Sequence, residues 1–107
     1  GESRERIIDF AALTAIVKWM VRKGLEAMIA LDSQMAQDVC NSDDEVDEQF
    51  RLIKEKVISA LKKGNSNVRA LITELTISDY MESIADHAKK ICEDVVHTVD
   101  AEVIRHS

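Results

Sequence analysis

Two pairs of acids spaced four residues apart, Asp43-x-x-x-Asp47 and Glu82-x-x-x-Asp86, carry the chemistry this sequence offers. At that spacing both carboxylates of a pair stand on one helix face, where like charges repel by a few tenths of a kcal/mol. Asp43, Asp44 and Glu45 have a local compensation, because acids in a first helical turn favour the positive end of the dipole. Glu82 and Asp86, mid-helix, have none. The pairs lie almost symmetrically about Gly64-Asn65-Ser66-Asn67, the convincing turn in the middle of the chain. Folding the chain back there sets Asp47 level with about residue 84 and Asp43 with about residue 88, an offset of roughly one turn at ~1.5 Å per residue. Four carboxylates at one height attract a cation. Oxygen ligands suit Mg²⁺, Ca²⁺, Mn²⁺ or iron, and make a poor tetrahedral zinc cage. The same acids also read as an ordinary solvated face, and spacing alone does not choose.

The elements that must position these acids are helices. The chain has no proline, three glycines, and only one Trp, one Tyr and two Phe in 107 residues, a composition that predicts an all-α fold. Apolar positions at three- and four-residue steps predict a first helix over about 4–40, with Gly24 as a place for a bend. Ser42-Asp43-Asp44-Glu45 has the S-x-x-E form of a capping box and predicts a helix start. The second helix, about 43–63, carries Val46, Phe50, Ile53, Val57 and Leu61 as one stripe and ends in Lys62-Lys63-Gly64. The third, about 67–104, shows two stripes: Val68, Leu71, Ile72 and Leu75 early, then Ile77, Met81, Ile84, Ala88, Ile91 and Val95 on nearly the opposite side. Three helices joined by short turns predict an antiparallel three-helix bundle in one domain, 1–107. The uncapped start at Gly1–Arg6 suggests a piece of a longer protein.

Composition also limits function. Net charge is −6; residues 1–31 carry five Lys/Arg against four Asp/Glu, and residues 32–107 nine against sixteen. That argues against unaided nucleic-acid binding. The apolar run Phe10–Val21 is interrupted by Lys18 and is too short to span a bilayer; it predicts an interface, either with a sister repeat or with a second copy of the chain. No signal peptide is visible, so a cytoplasmic location is expected. Trp19 with Lys18, Arg22 and Lys23 would suit peripheral membrane contact. Cys40 and Cys92 lack CxxC spacing and read as buried free thiols. No phosphate-cradling loop or nucleophilic triad is present. The Glu-x-x-His pairs of a ferritin-like di-metal enzyme are also missing, since Glu93 and His97 are four apart. The chain is not expected to be an enzyme. His97, His87, Asp38 and Gln34 are secondary candidates near the acids.

The stretch Glu82-Ser83-Ile84-Ala85-Asp86-His87-Ala88-Lys89-Lys90-Ile91-Cys92-Glu93 resembles the third-helix signature of the PhoU family of phosphate-uptake regulators, E-R-I-G-D-H-A-x-N-I-A-E. Val39-x-x-x-Asp43-x-x-Val46-Asp47 is similar to that family's second helix. The likeness spans about residues 7–105, the length of one repeat, and departs from the pattern at Ser83, Ala85 and Lys90. It implies a PhoU-like three-helix domain that binds iron, zinc, manganese, magnesium or calcium through Asp43, Asp47, Glu82 and Asp86. It further implies a regulatory module of phosphate transport and signalling. Its protein partners would be a phosphate-transporter ATPase and a membrane sensor kinase, with homo-oligomer or tandem-repeat pairing. The alternatives are a cytoplasmic domain of a sodium-phosphate cotransporter and a metal-free helical interaction module.

Overall fold

A computed structural model describes residues 8–64 and 67–107, and among these every regular element is a helix: α1 Ala11–Ala30, α2 Ser33–Asn41, α3 Asp43–Lys62 and α4 Val68–Arg105. The expected start at Arg4, and Asn65 and Ser66 of the turn, lie outside the described residues. The 38 residues of α4 measure about 57 Å at 1.5 Å per residue, close to the 63 Å long dimension of the molecule. One helix therefore sets the length, and the others lie along it.

The first correction concerns where the chain reverses. One helix was expected over 4–40, but α1 ends at Leu31, whose φ of 51° and ψ of 45° are left-handed. Its N–H turns back onto the Ala27 and Met28 carbonyls. Asp32 then opens α2, its carboxylate accepting from the Met35 N–H at 3.0 Å. A non-glycine residue in this conformation costs roughly 1–2 kcal/mol, and the Asp32 cap offsets part of that, typically about 1 kcal/mol. Apolar spacing runs straight across the corner, so periodicity could not reveal it.

The second correction is its complement. Ser42 was expected to cap a new helix, yet its backbone stays right-handed at φ −80° and ψ −3° and its side chain makes no cap bond. The hydroxyl instead donates back to the Val39 carbonyl at 2.6 Å. An S-x-x-E string caps a helix only if the serine leaves helical φ/ψ, and this one does not. α2 and α3 thus follow one another as a single rod with a local break, and three rods remain: α1, α2–α3 and α4. Gly64 adopts φ 76°, and the Asn67 side chain accepts from the Ala70 N–H at 3.2 Å, so α4 begins where expected.

Contacts along α4 give the register. Gly24 of α1 lies against Cys92 and Ala88, and Leu31 shares a surface depression with Thr98, Val99 and Val103. Along the second rod the order runs the other way, with Cys40 on the Lys89 carbonyl, Asp43 on the Lys89 ammonium and Phe50 beside Asp79. Gly24 lies within the unbroken α1. A Cβ there would stand 3.4 Å from Cys92 Sγ and 3.8 Å from the Ala88 carbonyl oxygen, ordinary contact distances, so a methyl would fit between α1 and α4 but little more.

The core takes Leu13, Val17, Met20 and Ala27 from α1, Ala36 and Val39 from α2, and Val46, Phe50, Ile53 and Val57 from α3. The α3 stripe is as expected except for Leu61, which is exposed. Of the run Phe10–Val21, Phe10, Leu13, Val17 and Met20 are buried in the core, while Ala11, Ala12, Ala15 and Trp19 stay exposed on its other face. On α4 the buried line is Leu71, Glu74, Ser78, Ala85, Ala88, Cys92 and Val95, a single face where two stripes were expected. Ile77 and Ile84, expected inside, are exposed.

Candidate metal centre

A groove on the surface between α3 and α4 is lined by Asp43 and Asp47 from one side and by Asp79, Glu82 and Asp86 from the other. Phe50, Val46 and Ala85, all buried, also line it. The core stripe of α3 and the small residues of α4 thus fix the helices that carry the acids. The four carboxylates singled out from spacing share one groove, and Asp79 joins them. Among the described residues, the group of three acids whose carboxylate oxygens lie within 4.8 Å of one another is Asp43, Asp44 and Asp47, all on α3; Glu82 and Asp86 line the groove but are not brought into that group. Asp44 was not among the expected ligands; it sits one residue from Asp43 in the first turn of α3, and its i,i+3 spacing to Asp47 was the available signal.

Two lysines meet these acids. Lys89 Nζ lies 2.9 Å from Asp43 Oδ2 across the seam, and Lys90 Nζ lies 3.2 Å from Asp86 Oδ2 within α4. The hydrogen bond that Lys89 donates to Asp43, and then the Asp43 charge, hold the Lys89 ammonium above the ordinary lysine range, with Glu93 and Asp47 contributing further. The groove therefore already attracts one cation, supplied by the chain itself. Its donors are all oxygens, partly exposed and open to water, which fits a hard ion that keeps part of its hydration shell.

The secondary candidates separate from the groove. Gln34 and Asp38 bond to each other on α2 at 3.1 Å. His87 turns to the opposite side of α4, where its Nδ1 lies 2.7 Å from the Ser83 carbonyl oxygen. His97 is exposed and is not part of the groove lining. Both cysteines are free. Burial pushes the Cys92 thiol up to about 11; burial, then the Glu93 charge, also raise Cys40. Neither is an activated nucleophile, because that role needs a depressed thiol pKa. Trp19 is partly exposed, and Lys23 beside it pairs with Glu26 at 3.3 Å.

The geometry defines an all-helical domain with an acidic groove between α3 and α4. Comparison with known proteins gives the family. The profile of the PhoU domain matches residues 10–95, and the chain belongs to the PhoU family. It is 28% identical over 83 residues to a phosphate-specific transport system accessory protein PhoU homolog of Clostridium acetobutylicum, covering 78% of this chain and 38% of that protein. The homolog of Pseudomonas putida is 24% identical over 106 residues, 99% of this chain and 41% of that protein. PhoU homolog 1 of Methanothermobacter thermautotrophicus is 24% identical over 99 residues, 92% of this chain and 45% of that one. The chain thus spans less than half the length of these relatives. No solved structure gives a significant match. No helix among the described residues is long and apolar enough to cross a membrane.

Proposed function

We propose that this chain is a cation-responsive regulatory module of phosphate transport, built as the antiparallel three-helix bundle of its family and acting through contact with protein partners. The observation that supports the reading is that Asp43 and Asp47 line one groove with Glu82 and Asp86, within a chain of the PhoU family. The relatives' role as accessory proteins of a phosphate-specific transport system supplies the physiological setting, with the transporter ATPase and a membrane sensor kinase as partners on the cytoplasmic side. The work is binding, with no reaction assigned. A hard cation bound between α3 and α4 would displace Lys89 from Asp43 and neutralise the seam, tightening the surface that a partner reads. Self-association, or pairing with a sister repeat, belongs to the same reading.

Elemental analysis and calorimetric titration with Mn²⁺, Mg²⁺, Ca²⁺ and Fe²⁺ test it, on wild type beside a Glu82→Ala/Asp86→Ala variant. Wild type should bind at least one ion, and the variant should bind at least ten-fold more weakly with its helical circular dichroism unchanged. Equal binding by the two proteins would sink the site. One observation favours a second reading: the Lys89–Asp43 pair closes the seam without a metal, as a metal-free interaction module would require. Wild type that takes up no ion from any of the four salts selects that reading.

A further inference from the structure

On the other side of α4, where it meets α1, lies a groove lined almost wholly by carbon. Gly24 and Ala88 line it, with Leu25, Tyr80 and Ile84 around them. On α4 the residues Ile77, Tyr80, Ile84, His87 and Ile91 follow one another at steps of three, four, three and four, the a/d spacing of a helix-pairing seam. This chain does not spend them on its own core: Ile77 is 40% exposed, Ile84 48% and Tyr80 70%. α1 adds Leu25, Met28 and Ile29, of which Ile29 is 82% exposed. The α4 stripe carries no charged side chain from Ile77 to Ile91. These six side chains, of which Leu25, Tyr80 and Ile84 line the groove itself, together leave on the order of 500 Å² of apolar surface in water, comparable to the largest patch on a monomer. With a polar rim that approaches the ~800 Å² per partner of a stable dimer.

We infer that a second copy of this chain covers the face, with α4 packed on α4 in reverse order about a twofold axis at Ile84. The stripe matches itself when reversed. Ile77 then meets Ile91, Tyr80 comes within one residue of His87, and Ile84 meets its own copy. Such a twofold contact requires that each residue's partner be met by that residue in turn, and this order of side chains satisfies it. His87 is held by the Ser83 carbonyl through Nδ1, leaving Nε2 directed to the Tyr80 hydroxyl of the second copy. Leu25 and Ile29 flank the pair, so α1 and α4 of both copies form a four-helix contact of the shallow-angle kind.

The inference names the surface for the self-association in the reading above and does not depend on the cation. Sedimentation equilibrium in EDTA tests it, on wild type, Ile84→Glu, and Ile58→Glu, whose Ile58 is equally exposed on α3. Wild type should be dimeric at tens of micromolar, roughly the range expected of an interface of this size. Ile84→Glu places two carboxylates at the axis and should weaken the dimer by about 100-fold or more, while Ile58→Glu leaves it intact. Ile84→Cys in a Cys40→Ser background should cross-link to its own copy on mild oxidation, which keeps the test open should the glutamate variant not fold. A dimer indifferent to Ile84→Glu, or Ile84→Cys that does not cross-link, overturns this face but leaves self-association standing. A wild-type monomer overturns both. Either result is independent of the metal titration, which reads the other side of α4.

Discussion

The two sides of α4 solve opposite problems with the same helix. Toward α3 it presents Asp79, Glu82 and Asp86 across from Asp43 and Asp47; toward α1 it presents Tyr80, Ile84, His87 and Ile91 across from Leu25. Ser83 lines both grooves. The acidic side leaves charge to be neutralised, and the apolar side leaves carbon to be covered. Both stay open because the buried line between them is made partly of small residues, Ser78, Ala85 and Ala88, so the larger and charged groups are carried outward to the flanks. One helix thus presents an acidic groove and an apolar groove on its two flanks.

The strongest way to break this comparison is to remove what holds the acidic side in place. Phe50→Ala empties a 2%-exposed position of α3 that also lines the acidic groove, and should cost about 3–5 kcal/mol by urea denaturation. A loss under about 1 kcal/mol would mean that the acids do not rest on the core. Next comes the apolar side. Gly24→Val adds bulk where even a Cβ would stand 3.4 Å from Cys92 Sγ and 3.8 Å from the Ala88 carbonyl, so it should destabilise by about 1–3 kcal/mol and weaken dimerisation with it. A neutral result would show that α1 can retreat from α4.

The smallest effect is the most discriminating. Lys89→Met removes the partly exposed bridge to Asp43 and should cost under about 1 kcal/mol of ion-free stability, while raising affinity for a divalent ion several-fold. Unchanged ion affinity would separate the lysine from the ion's place. Because the folded-state pKa of Lys89 is raised, its contribution is complete below the unfolded lysine value of 10.5 and is lost as pH rises through the higher folded value. The Tm difference between wild type and Lys89→Met should hold from neutral pH to about 9 and close above about 10.5. A gap that shrinks on acidification instead would point to another group.

The α3 half of this contrast was legible in the sequence, and the α1 half largely was not. Val46, Phe50, Ile53 and Val57 repeat cleanly, and counting back from the turn at Gly64 set Asp43 beside the position where Lys89 now bonds to it. That count located the partner's height but not its charge. The junctions at the two ends of α2 failed for local reasons. Leu31 turns left-handed without a glycine to announce it, and Ser42 matches a capping string while its hydroxyl points backward. On α4, Glu74 and Ser78 occupy buried positions that a count of apolar residues passes over, which sent Ile77 and Ile84 to the core in error. Which residues of Phe10–Val21 enter the core and which stay on the surface is a tertiary property that the apolar run alone does not divide.

Lys89 has one further consequence. A counterion bonded to the polypeptide is present at an effective concentration set by its tether, which neither dialysis nor a chelator can lower. Under the proposed function, a dissolved ion would have to displace this anchored rival to reach Asp43, which raises the ion concentration needed to fill the groove.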